Sequence, residues 1–207
     1  AEQGTRFAVI GGGFIGSEIA AALALNGKDV VMLFPDAGIG NRVFGPDLSA
    51  FLTTYYREHG VEVLVGETAK GLERRDGQIA LQTAGGQQLL VDGIVAGIGI
   101  EPNTALAAAA GLEVDNGIVV DALLRTSHPD IYAAGDVANF ANTALGKRMR
   151  VEHEDNANTM GKRAGRNMAG DRTAYDYLPF FYSDLFDLGY EAVGELDARL
   201  ELVADWK

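Results

Sequence analysis

Three glycines near the start of the chain have the spacing most suggestive of chemistry. Gly11, Gly13 and Gly16 follow the apolar run Phe7–Ile10 in the pattern GxGxxG, with Ile15 inside the turn. Such a turn binds a pyrophosphate. Gly11 permits the tight turn, Gly13 lets backbone approach the phosphates, and Gly16 lets the next helix pack closely with its amides aimed at the anion. Asp36 lies about 20 residues beyond Gly16, where this fingerprint places a carboxylate that accepts ribose hydroxyls. The alternative for Asp36 is a turn residue after Pro35. Arg42 is a cation able to meet a 2′-phosphate, but Asp36 would repel one, so charge favours NAD over NADP.

These residues need a scaffold, and the pattern around them supplies one. Ser17–Asn26 is rich in Ala and Leu and reads as a helix ended by Gly27, and Asp29–Phe34 reads as a second apolar strand, completing a β-α-β unit. Pro46–Gly60 fits a helix with Asp47 near its start and Gly60 at its end, followed by a strand over Val61–Val65. Tyr55, Tyr56 and His59 lie on that helix and read as packing and surface residues. Residues 67–92 switch to short strands separated by Asp76-Gly77 and Gly85-Gly86, which are hairpin signals. The apolar strand Gly93–Ile98 then closes in the glycine-rich loop Gly97–Pro102, at the kind of carboxyl-end position where open α/β sheets bind ligands. The expected class is α/β, with a Rossmann-like domain carrying a β-meander crossover.

Composition limits the partners. The 207 residues hold 17 Lys plus Arg against 29 Asp plus Glu, and a net charge of -12 opposes nucleic acid and anionic membrane surfaces. No apolar stretch is long enough to span a bilayer. With no cysteine, a disulfide framework and a thiolate metal site are excluded within these residues, and His59, His128 and His153 are too scattered to suggest zinc, so no metal is implied. Residues 1–6 show no signal-peptide pattern, and a cytoplasmic location is the default expectation.

Further motifs carry a family resemblance. Gly99-Ile-Glu-Pro-Asn103 and Ile131-Tyr-Ala-Ala-Gly-Asp136 resemble two hallmarks of the pyridine nucleotide-disulfide oxidoreductase superfamily. Val151–Ala157, Phe181–Leu185 and Gly189–Gly194 narrow the resemblance to apoptosis-inducing factor, its bacterial relatives and the ferredoxin reductases of oxygenase systems.

The resemblance implies FAD and NAD as cofactors and roles at individual positions. Asp136, at the end of a strand, would meet the ribityl and pyrophosphate region of FAD. Phe14 matches an aromatic that shields the flavin, and Glu18 a carboxylate that holds the nicotinamide end. Asp36 matches a ribose-binding glutamate, with Arg42 in place of an assisting lysine. Gly99 lines the nucleotide, while Glu152 and His153 stand beside nicotinamide and flavin ring. The chain departs from the pattern twice: Tyr182 replaces a tryptophan near the flavin, and Glu154 follows His153 where relatives have histidine or tryptophan. Without the resemblance, the alternatives are Glu152 as a helix cap, His153 as a hydrogen-bonded core residue and Asp136 as an N-cap.

The expected organisation is an NAD(H)-binding domain over 1–103, the second half of an FAD domain over 104–171, and the start of an interface domain over 172–207. In that interface domain, Tyr190–Leu196 and Leu200–Trp206 read as two strands of a truncated sheet. The chain thus reads as a fragment lacking the N-terminal FAD half. Its implied function is hydride transfer from NADH to flavin and onward to an electron-acceptor protein or a quinone, with a homodimer possible. The alternatives are an NADH-sensing binding module, and a cysteine-dependent NADH oxidase or disulfide reductase whose redox cysteine lies outside these residues.

Overall fold

The computed structural model describes residues 4–203 and 205, which fall into two compact units. Among the described residues, the first comprises 4–99, 183–190, 196–203 and 205; the second comprises 100–182 and 191–195.

The first unit is built on β1 (Arg6–Ile10), α1 (Phe14–Leu25), β2 (Asp29–Phe34), α2 (Pro46–Glu58) and β3 (Val61–Val65). A meander of β4 (Ala69–Arg75), β5 (Gln78–Thr83) and β6 (Gln88–Val91) precedes β7 (Gly93–Ala96). The parallel sheet has the order β3-β2-β1-β7, and the meander is a separate antiparallel sheet, β4-β5-β6. Period-2 alternation divides the core between the two faces of the parallel sheet. Val9, Val30, Met32 and Phe34 pack with Ala20, Leu52 and Tyr56 of the helices, whereas Ala8, Val31 and Leu33 pack with Leu81, Leu89 and Val91 of the meander. β2 is covered on both sides, which is why its sequence is an unbroken apolar run after Asp29.

The order of the sheet creates the binding position. β1 has β2 on one side and β7 on the other, so the loops after β1 and β7 diverge and leave a crevice at their carboxyl ends.

In the second unit, α3 (Ala105–Ala109), β8 (Ile118–Val119), β9 (Ala138–Asn142), β10 (Lys147–Met149) and α4 (Glu154–Met168) follow. β9 pairs with both β8 and β10, and Phe140, Val151, Met160, Ala164 and Tyr175 form the core. The buried Asn167 binds the return chain: its amide nitrogen donates to the Leu123 and Thr173 carbonyls, and its Oδ1 accepts from the Thr173 amide. The last hairpin, β11 (Phe180–Leu185) and β12 (Leu188–Val193), contributes its tip to the first unit.

Several sequence expectations require correction. α1 begins at Phe14 rather than Ser17, because Gly13 is its extended N-cap, and β7 ends at Ala96 rather than Ile98. Ile131–Asp136 is not a strand: Tyr132 makes one isolated bridge to Arg125, and Gly135, at φ +78°, bends the chain into the turn before β9. Asp136 therefore sits in a turn and caps no helix; His153 is the N-cap of α4. The expected strand at Tyr190–Leu196 runs instead over Leu188–Val193. Leu200–Val203 form no strand, and Ala204 and Trp206 of that expectation lie outside the described residues. Among the described residues no helix is long and apolar enough to cross a membrane.

Candidate nucleotide site

The glycine turn is dictated by contact rather than by flexibility alone. Gly11 has φ +120°, and a Cβ there would stand 2.2 Å from the Gly97 carbonyl oxygen. A Cβ on Gly16 would stand 2.1 Å from the Gly11 carbonyl oxygen. The turn, the start of α1 and the β7 loop thus share space that only bare backbone fits. Gly13 is different. Its Cβ would meet nothing within 4 Å, so its bareness leaves space on the outer side of the turn.

α1 opens with an electrostatic vacancy that suits an anion. Gly13 offers no side-chain cap, the first turn holds no acidic residue, and the amides at a helix start lack intrahelical acceptors. In front of this helix end lies a cleft of about 540 Å³ lined by Gly11, Gly13, Asp36, Arg42, Glu67 and Gly99, among others. The structure therefore brings Gly11, Gly13, Asp36, Arg42 and Gly99 to one place. Gly16 supports the turn from beneath, and the side chain of Ile15 is exposed.

Charges gather at the far end of the cleft. Arg42 pairs with Asp36 at 3.3 Å; the arginine is 77% exposed and the aspartate 29%. The arginine thus stands mostly in solvent, while the carboxylate it pairs with is mostly covered at the cleft wall. Glu67 is a lining residue that the sequence reading missed. Backbone amides of Gly85 and then Thr68 donate to it and hold its carboxyl below the ordinary range. Its position follows from β3 lying beside β2, which puts the loop after β3 against Asp36, where the Gly66 amide donates to the Asp36 carbonyl.

Phe14 and Glu18 lie one turn apart on α1. Phe14 stacks on Tyr190 with ring centroids 6.0 Å apart, and Glu18 accepts a hydrogen bond from the Ser183 hydroxyl. Tyr56 is fully buried beneath, donating to the Ser17 carbonyl, and its burial drives the phenol upward from its usual value.

The remaining site residues belong to the second unit. Asp136 and Val137 line an apolar cleft of about 710 Å³ with Ile100, Pro102, Leu106 and Ile118. Arg150, whose side chain is 9% exposed, donates to the Asp136 carbonyl at 2.6 Å and pairs with Glu152 at 2.7 Å. Arg150 was not legible as a site residue, yet it ties the Asp136 turn to the chain entering α4. His153 caps α4 through Nδ1, which accepts from the Asp155 amide at 3.3 Å, and its ring packs edge-on against Phe181 and Tyr182. The Tyr182 hydroxyl donates to Glu154 at 2.9 Å, so the residue that departs from the family pattern after His153 binds the tyrosine that departs at 182.

Known proteins resemble this chain in sequence and in fold. Residues 1–161 match the family model described as pyridine nucleotide-disulphide oxidoreductase, and 164–207 match the mitochondrion-associated C-terminal domain of apoptosis-inducing factor. The chain is 40% identical to the ferredoxin reductase subunit of a 5,5'-dehydrodivanillate O-demethylase from Sphingobium sp., over 97% of this chain and 50% of that protein. It is 38% identical to monodehydroascorbate reductase 3 of Arabidopsis thaliana, over 90% of this chain and 44% of the relative. A solved covalent complex of putidaredoxin reductase with putidaredoxin superposes with a TM-score of 0.85 at 36% identity, covering 92% of this chain and 46% of that one. The chain spans about half the length of the curated relatives it matches.

Proposed function

The chain belongs to the pyridine nucleotide-disulphide oxidoreductase family, and on that premise we propose that it is the NAD(H)-binding portion of an FAD-dependent NADH oxidoreductase. The observation that carries this reading is the cleft itself: a glycine turn bare where a pyrophosphate must approach, an uncapped helix start behind it, and Asp36 at the ribose end. Gly11 and Gly13 with the α1 amides would hold the pyrophosphate, Asp36 with Arg42 the adenosine ribose, and Gly99 the opposite wall. The pairing of Arg42 with Asp36 supports NAD over NADP, because the cation is engaged by the group that would repel a 2′-phosphate.

Flavin, when bound, would supply the hydride acceptor, and the protein's part is to orient and to set charge. The second unit offers suitable groups. An exposed Asp136 carboxylate on the rim of an apolar cleft fits a polyhydroxyl chain joined to a flat ring. Arg150 fixes that turn, and Glu152 and His153 enter α4 where the ring end would lie. Phe14 covers the nicotinamide position and Glu18 orients the carboxamide. Tyr182, set by Glu154, takes the place of a larger aromatic at the flavin.

In this reading 1–103 binds NAD(H), 104–171 is the second half of the FAD domain, and 172–207 begins an interface domain. The onward acceptor is a small ferredoxin-type protein, supported by the ferredoxin reductase and putidaredoxin reductase relatives. A quinone is the alternative acceptor, and a homodimer and a cytoplasmic location belong to the same proposal. Steady-state NADH oxidation by the full-length protein with a ferredoxin tests it. Rapid turnover is the expected result, whereas a long-lived reduced complex with poor turnover would point to a sensor.

A further inference from the structure

Among the described residues of the first unit, two buried side-chain polar atoms lack a hydrogen bond: Arg6 Nε, which faces the Asp29 carboxylate at 3.5 Å, and the Tyr190 hydroxyl, which faces no such ion. Tyr190, in β12 of the last hairpin, has its hydroxyl oxygen sealed from solvent with no hydrogen bond among the described residues. A sealed phenol that donates to nothing has lost its hydration without compensation. Its ring is held on two sides: it stacks on Phe14 with planes 22° apart, and it meets Phe44 edge-on at 5.2 Å. Beside it lies a chamber of about 10 Å³ lined by Gly13, Ser17, Val43 and Leu185 with those rings. That is the low end of the roughly 10–15 Å³ one water needs, and the lining is mostly apolar. A trapped water is thus a poor partner for the hydroxyl. Burial first, and then the charge of Glu18, push the phenol above its ordinary value, so the group stays a donor.

The neighbouring carboxylate suggests what the donor is for. Glu18, anchored by the Ser183 hydroxyl, is an acceptor, and Tyr190 is a donor next to it. An acceptor beside a donor is the complement of a primary carboxamide, which offers N–H and C=O on one carbon. The same aromatic that stacks on Tyr190 is Phe14, the first residue of the helix that carries Glu18. Gly13 and Val43 line both the chamber and the nucleotide cleft, so the two spaces adjoin.

We propose that Tyr190 is a positioning residue for the nicotinamide end of a bound dinucleotide: once Phe14 moves off its ring, the Tyr190 hydroxyl donates to the carboxamide oxygen while Glu18 accepts from the carboxamide nitrogen. This rests on the nucleotide reading of the cleft given above. The partnerless hydroxyl is then the resting state of a group whose acceptor arrives with the ligand.

The variant Tyr190→Phe keeps the ring stack and deletes only the hydroxyl. Calorimetric titration of the chain with NAD⁺ and with ADP-ribose, which lacks nicotinamide, reads the consequence. NAD⁺ affinity should fall about three- to tenfold, the range for one lost hydrogen bond. ADP-ribose affinity should stay unchanged, and the melting temperature should not fall, because the deleted group was unsatisfied. Unchanged NAD⁺ affinity, or an equal loss for both ligands, would overturn the proposal. A wild-type chain that binds neither ligand would overturn the cleft reading and this inference with it, a result distinct from wild-type binding that Tyr190→Phe leaves untouched.

Discussion

Gly16 and Gly11 touch through bare backbone: a Cβ added to Gly16 would lie 2.1 Å from the Gly11 carbonyl oxygen, whereas a Cβ on Gly13, midway between them, would lie in open space. The three glycines of one motif therefore answer to two different demands. Gly11 and Gly16 are required by the fold, and on the proposed nucleotide reading Gly13 is required by the ligand. Gly16→Ala should lower the melting temperature, since α1 must shift off the turn to admit the methyl. Gly13→Ala should leave it unchanged or slightly raised, because Gly13 sits at φ -85° where alanine is unstrained. It should still weaken NADH binding by tenfold or more. Thermal melts and nucleotide titration of both variants separate the two demands; a large loss of stability in Gly13→Ala would contradict the division.

Asp36 faces a similar test of nucleotide choice. Asp36→Ala should weaken NADH binding by about 1 to 3 kcal/mol, the range for removing a charged hydrogen-bond partner. NADPH should lose little or gain, because Arg42, 77% exposed, is released from its pair. Calorimetry with both nucleotides checks this. A wild-type preference for NADPH would remove Asp36 from its role.

The second unit depends on Asn167, which is 4% exposed and makes three hydrogen bonds to backbone of the segments that pass it. Asn167→Ala removes three hydrogen bonds to the backbone of half-buried Leu123 and exposed Thr173 and should cost roughly 1 to 3 kcal/mol, at about 0.5–1.5 kcal/mol per hydrogen bond with water replacing part of them. Denaturant unfolding measures it. A change within 0.5 kcal/mol, roughly the scatter of surface substitutions, would show the segments are held by other means.

Asp92 gives the fold an acid-sensitive clasp. The Arg6 amide, the Gln78 side chain and the Thr5 amide all donate to its carboxylate, and they hold its pKa at about 2. A carboxyl depressed in the folded state stabilises fully above its unfolded value, near 3.8, and that contribution is lost as pH falls through about 2. The start of β1 should therefore stay fastened through pH 4 and loosen between 4 and 2. An NMR titration of the Asp92 carboxyl carbon should show a midpoint near 2; a midpoint near 4 would mean the clasp is not formed.

The legible part of this molecule is the part encoded locally. The glycine spacing, the unbroken apolar run of β2 and the Asp76-Gly77 turn identify the β-α-β unit and the meander, because each is written within a few residues. Ile131–Asp136 misled because an apolar run before Gly-Asp looks like a strand, while its packing against α4, with the Gly135 amide donating to the Met160 sulfur, holds it as irregular chain. Glu67, Arg150 and Tyr190 were not legible as site residues. Each acquires its place from a long-range pairing: β3 on β2, Arg150 reaching the Asp136 carbonyl, and a strand of the last hairpin meeting Phe14 from 176 positions away.

The crevice between the β1 and β7 loops is the proposed NAD(H) site. Amide NMR spectra of the chain titrated with NADH test it most directly. Saturable shifts concentrated at Gly11, Gly13, Asp36 and Gly99, with one nucleotide bound per chain, are the predicted result. Absence of binding at millimolar NADH, or shifts confined to residues outside that crevice, would contradict the account.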